Sequence, residues 1–112
     1  MELFEAARKL FDSGEYFEAH EVWEDMWNQA DGPRHAFLQC LIQVAAALHH
    51  ARNGNLKGTR KLMASALGYL DKGRADSHPV DMDRLRDHIL DIEIAIQAGH
   101  ETLPYFKLPL LS

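Results

Sequence analysis

From Ala36 through Ala51 the chain carries no Asp, Glu, Lys or Arg. Phe37, Leu38, Leu41, Ile42, Val44 and Leu48 recur there at three- and four-residue steps, which is helical spacing. A helix without charge on any side offers no face to water, so it belongs at the centre of a bundle with other helices packed around it. Asp31-Gly32-Pro33 breaks the chain before it and Gly54 ends it, so the pattern predicts a helix over 34–53.

The flanking sequence supplies the packing partners. Leu3, Ala7, Leu10 and Phe11 fall on one helical stripe that Gly14 terminates. A second helix is expected from Glu15 or Tyr16 to about Gln29. Asn55 is placed to cap a fourth helix, Leu56 to Leu70, whose stripe is Leu56, Thr59, Met63, Ala66 and Leu70. After a polar loop, Asp81 caps a fifth helix with Met82, Leu85, Ile89, Ile92 and Ile96 inside, and Val80 and Leu85 stand at hydrophobic-staple positions. The expected architecture is all-α: one domain over 1–112, a compact up-and-down bundle of about five helices. Residues 1–71 form two helical hairpins, 72–80 a loop, 81–98 a C-terminal helix and 99–112 an extended apolar tail. The tail, through Leu103, Tyr105, Phe106, Leu108, Leu110 and Leu111, is too apolar to float; it packs along the domain or joins a second subunit as a homo-oligomer contact.

Composition removes several function classes. Among 112 residues, 12 Lys+Arg face 17 Asp+Glu, a net charge of −5. An acidic chain lacks the positive field that nucleic-acid binding needs. No apolar run approaches the ~18 residues of a membrane span, and the start Met-Glu-Leu-Phe-Glu lacks a basic secretory leader, so a cytoplasmic protein without a membrane partner is expected. The single cysteine, Cys40, excludes an internal disulfide and a thiolate-clustered zinc site. No phosphate-binding glycine loop or nucleophile elbow is present.

What remains is an unusual number of histidines, seven in all. On the second helix His20 and Glu24 stand four apart at the edge of an apolar face made by Ala19, Val22, Trp23, Met26 and Trp27, with Glu21 at its boundary. On the third helix Gln39, Gln43 and His50 share a stripe with Ala36, Ala46 and Ala47. The short connection makes these helices antiparallel neighbours, so His20, Glu21, Glu24, Gln39, Gln43 and His50 form the candidate binding cluster. Two readings compete. In one, the cluster is a closed hydrogen-bonded network that binds nothing, the usual state of buried polar groups. In the other it is a site. His20, Glu24 and His50 would then hold a divalent metal with open positions, or do acid–base chemistry as a hydrolase-like enzyme, or the cluster would receive a small polar ligand. A faint forty-residue repeat, Gly14 on Gly54 and Trp23 on Met63, adds a third possibility, a tetratricopeptide-like peptide-binding adaptor. The favoured function is a small binding or interaction module. Trp23 and Trp27 read as core; Lys57, Arg60 and Lys61, with Arg52 nearby, read as a solvated face or as an anion receptor at a helix start. His35, His49, His78, His88 and His100 show no partner pattern.

Three blocks carry a resemblance to a known family. The run Glu15 to Glu24 followed by Trp27, the block Phe37-Leu38-Gln39-Cys40-Leu41-Ile42-Gln43, and His50 followed by Gly54-Asn55-Leu56 together resemble domain of unknown function 309, over about residues 1–71. The resemblance implies an all-α bundle in small, mostly prokaryotic cytoplasmic proteins and carries no activity with it. Its motif residues are Glu18, His20, Glu21, Trp23, Glu24, Gln39, Gln43, His50, Gly54 and Asn55. Cys40 stands where that family favours glycine, and Thr59 where a small alanine is usual.

Overall fold

A computed structural model describes residues 2–111. Five helices follow one another: α1 (Glu2–Asp12), α2 (Tyr16–Trp27), α3 (Gly32–Arg52), α4 (Leu56–Gly73) and α5 (Met82–Gln97). The chain is an all-α bundle in which α3 packs against both α2 and α4, α1 lies on α2, and α5 leans on α4.

The uncharged helix takes the central place. Phe37, Leu38, Cys40, Leu41, Ile42, Val44, Ala45, Ala47 and Leu48 are all buried on α3. Phe4 and Phe11 of α1 meet Trp23 of α2 at ring-centroid distances of 6.2 and 5.8 Å, and Phe4 stacks on Phe37 at 6.0 Å. Burying an aromatic side chain of this kind stabilises a fold by roughly 3–5 kcal/mol relative to alanine. Gly14 and Gly54 hold φ of +84° and +80°, backbone that a β-carbon disfavours, and so end the preceding helices where the sequence places their stops.

The caps are as expected. The Asn55 side chain accepts from the Gly58 amide at 2.9 Å, and that of Asp81 from Arg84 at 3.1 Å. Some boundaries differ: α2 ends at Trp27, α3 already starts at Gly32 with Pro33 in its first turn, and α4 runs on past Leu70 to Gly73. A β-carbon at Gly73 would lie 2.6 Å from the Phe37 Cα, so the end of α4 touches the start of α3 backbone to backbone. Thr59 is fully buried, and its hydroxyl faces two acceptors, the carbonyls of Ala47 at 2.9 Å and Asn55 at 3.0 Å. A hydroxyl in place of a plain methyl thus adds an α3–α4 link.

The tail packs along its own domain. Phe106 and Leu108 are buried, and Phe106 lies 5.7 Å from Phe11 and flat on His88. The Tyr105 hydroxyl donates to the Asp12 carbonyl, the Leu108 amide to the Asp12 carboxylate at 2.8 Å. Leu110 forms an isolated antiparallel bridge with Val80, with Asp81 N–H donating to the Pro109 carbonyl at 2.9 Å. Tyr105 and Leu111 remain exposed. Among the described residues no helix is long and apolar enough to cross a membrane.

Candidate functional site

The polar stripe of α3 is the one side of that helix its neighbours leave half open. Ala36, Gln39, Gln43, Ala46 and His50 are each only partly buried, whereas the residues between them, His49 excepted, are covered. The helical projection places these residues on one stripe, but whether a neighbour covers the stripe depends on how α2 crosses α3. The expected buried cluster is therefore a seam along the edge of the α2–α3 contact.

On the α2 side, His20 Nε2 lies 3.2 Å from the Glu24 carboxylate; the His20 side chain is 23% exposed and that of Glu24 50%. Glu24 therefore orients His20 from the solvent side. Glu21 is exposed and takes no part. On the α3 side, no hydrogen bond joins Gln39 or Gln43 to His20 or Glu24 among the described residues. His50 turns the other way, with Nδ1 3.3 Å from the Asn55 side-chain amide nitrogen. Asn55 spends its carbonyl oxygen on the Gly58 amide, so its nitrogen donates to His50. Neutral His50 therefore carries its proton on Nε2.

The metal set expected of His20, Glu24 and His50 does not come together. Glu24 sits on the outer flank of α2 while His50 is tied to the α4 cap. Among the described residues no group of three or more His, Cys, Asp or Glu side chains is placed to hold a metal ion.

His20 and His50 do meet in a cleft of about 220 Å³, lined by Phe17, His20, Ala46, His49 and His50. The Phe17 ring, 46% exposed, stands 5.7 Å from His20 and 5.4 Å from His49, and the His49 and His50 rings are 6.3 Å apart. Ala46 leaves the room between them. Sequence reasoning passed over His49; its place one turn beyond Ala46, beside His50, is the signal that would have found it.

The same two helices carry a further irregularity. The buried polar side-chain atoms left without a partner among the described residues are His20 Nδ1, Trp23 Nε1, Trp27 Nε1 and Gln43 Oε1. All four belong to the facing helices α2 and α3, and each such atom costs roughly 1–3 kcal/mol unless something bonds it. Two are obligate donors and one an obligate acceptor. Bound waters would satisfy them.

Three of the other histidines pack against aromatic rings. His35 lies tilted against Trp27 at 4.3 Å, while His88 stacks on Phe106 at 4.4 Å and His78 on Phe37 at 3.9 Å. The basic end is dispersed: Arg60 pairs with Glu93 at 2.7 Å, a contact that raises the guanidinium pKa, while Arg52 lies over the Tyr16 ring. A larger groove of about 450 Å³ between α4 and α5 is floored by Met63, Leu67, Ile89 and Leu90, with the Arg60–Glu93 pair at its rim. Cys40 is fully buried, and burial pushes its thiol up to about 12, so it supplies no nucleophile.

A five-helix, all-α bundle with its signature residues on α2, α3 and the α3–α4 turn defines the class. The chain belongs to the family called domain of unknown function (DUF309), whose family model matches residues 4–62, from α1 into α4. It is 30% identical over 99 residues to a protein of Bacillus subtilis (strain 168), "Uncharacterized protein YpuF", across 87% of this chain and 55% of that protein. The chain thus spans about half the length of that curated relative. The matched region contains the cleft and all four unpartnered atoms.

Proposed function

We propose that the cleft between α2 and the C-terminal half of α3 is a small-ligand site, and that the protein is a binding module built around it. The observation that carries this reading is convergence: His20, His49 and His50 open with Phe17 onto one space over Ala46. Phe17 offers a ring face to a planar group, and His50 Nε2–H offers a donor to an acceptor on the ligand's edge. The unpartnered Nδ1 of His20, a residue that lines the cleft, supports it, because it gives a polar ligand or its waters a group to bond. The acidic balance supports a role without nucleic acid.

Histidine ring ¹⁵N NMR tests the proposal with a fixed panel of nicotinamide, adenine, benzoate and inorganic phosphate. A panel member is expected to shift the His20, His49 and His50 signals in a saturable way and leave His100 unmoved. Ala46→Leu fills the cleft and is expected to abolish those shifts. If none of the four moves the three histidines, or if Ala46→Leu leaves the shifts intact, the reading is wrong.

A further inference from the structure

On the neighbouring face of α3 lies a second depression of about 390 Å³, walled by α2, the end of α3 and the tail. Its floor is apolar, with Leu48, Ala51 and Leu103. At its edge the Arg52 guanidinium lies 5.1 Å from the centre of the Tyr16 ring. A β-carbon on Gly14 would meet that guanidinium at 2.8 Å, so the glycine of the α1–α2 turn also makes room for it. Arg52 has no carboxylate within ion-pair distance among the described residues, although Glu101 lines the same pocket. The two opposite charges thus share one apolar cup without neutralising each other.

We infer that this pocket binds a free α-amino acid with an apolar or aromatic side chain, its carboxylate on Arg52, its ammonium on Glu101 and its side chain against Leu48 and Leu103. A guanidinium matches a carboxylate with paired donors, and the rings of Tyr16 and Tyr105 flank the apolar floor. Burial holds the Tyr16 phenol above its usual pKa despite the nearby Arg52, so its hydroxyl stays protonated and available as a second donor to a carboxylate. The tail wall is held in place independently of any ligand, by Tyr105 on Asp12 and by buried Phe106. The charge pattern separates this ligand class from its fragments: a plain carboxylate leaves Glu101 repelling it, and a plain amine meets Arg52.

Calorimetric titration of the full chain with L-phenylalanine, phenylacetate and phenethylamine provides the test. L-Phenylalanine is expected to bind saturably and at least tenfold more tightly than either fragment. Arg52→Gln is expected to weaken it tenfold or more, and Glu101→Gln to erase the preference over phenylacetate. Both side chains are exposed, and unchanged circular dichroism melts would show that the variants fold. Absence of saturable L-phenylalanine binding overturns the inference. So does phenylacetate binding as tightly as the amino acid, or affinity that neither variant changes. Ala46→Leu, which fills the α2–α3 cleft, is expected to leave L-phenylalanine binding unaltered, which separates this site from the histidine-lined one.

Discussion

The imidazole of His78 lies flat on the ring of Phe37, with centroids 3.9 Å apart and planes 4° from parallel. The Val80 amide donates to His78 Nδ1 at 3.2 Å, which leaves the proton on Nε2, 3.2 Å from the Gly73 carbonyl. One neutral ring thereby ties the end of α4, the linker and the start of α3 together. A second proton would turn Nδ1 from acceptor to donor and break the Val80 bond.

Acid stability follows from that arrangement. Burial holds the His78 pKa below its usual value, outweighing the Gly73 carbonyl and Asp76, which favour the cation; Arg34 adds to the lowering. The unfolded chain therefore takes up this proton first, starting near the ordinary value of about 6.5. The stability His78 contributes is fully present above that pH and is lost as pH falls through the lower native pKa. Thermal melts from pH 8 to pH 5 are expected to decline less steeply for His78→Gln than for the parent chain. Equal slopes would show that His78 is not the group responsible. At pH 8 the same variant is expected to lose about 1–2 kcal/mol in urea unfolding through its broken hydrogen bonds.

Two glycines of α4 should answer alanine substitution with opposite signs. At Gly73 a β-carbon meets the Phe37 backbone at 2.6 Å, so Gly73→Ala is expected to destabilise by about 1–3 kcal/mol as α3 and α4 are forced apart. At Gly68 nothing lies within 4 Å of the new carbon, and Gly68→Ala is expected to stabilise by about 0.5–1 kcal/mol through helix propensity. Denaturant midpoints measure both, and a stabilised Gly73→Ala would refute the close approach.

Thr59→Val keeps the shape but removes the hydroxyl that faces the Ala47 and Asn55 carbonyls. A loss of about 1 kcal/mol is expected in urea unfolding. No loss would mean the hydroxyl adds nothing to the α3–α4 contact.

Cys40, enclosed on the central helix with its thiol pKa pushed up to about 12, should react with a disulfide reagent only when the chain opens. Labelling at pH 8 is expected to be slow in buffer and complete in strong denaturant. Fast labelling of the folded chain would contradict its burial.

The tail's anchoring separates into two side chains. Phe106→Ala is expected to cost about 3 kcal/mol because it empties a site against Phe11 and His88. Tyr105 is mostly exposed, so Tyr105→Phe should cost no more than about 1 kcal/mol for its bond to Asp12. Chemical unfolding distinguishes the two, and equal effects would mean that Phe106 is not the anchor.

Much of the fold is legible in the sequence. Gly14, Gly54, Asn55 and Asp81 mark helix ends because capping involves backbone groups within a turn of the residue concerned. The uncharged stretch of α3 announces a central helix because burial of unpaired charge is prohibitive. His20, Glu24 and His50 could likewise be placed on their stripes, since helical periodicity is local.

Which of those stripes meet was another matter. His49 entered the cleft and Glu24 stayed on its flank because α2 crosses α3 at one particular register. The Gly73–Phe37 approach, the flat His78 stack and the docking of Phe106 likewise join residues far apart in the chain. Sequence by itself determined the five helices, their caps and the central uncharged one, all set by interactions within a few residues. Only the tertiary structure decided which histidines share a cleft and which polar atoms lack partners. A rotation of one helix by a single residue step, about 100°, leaves every local rule satisfied and rearranges every contact between helices.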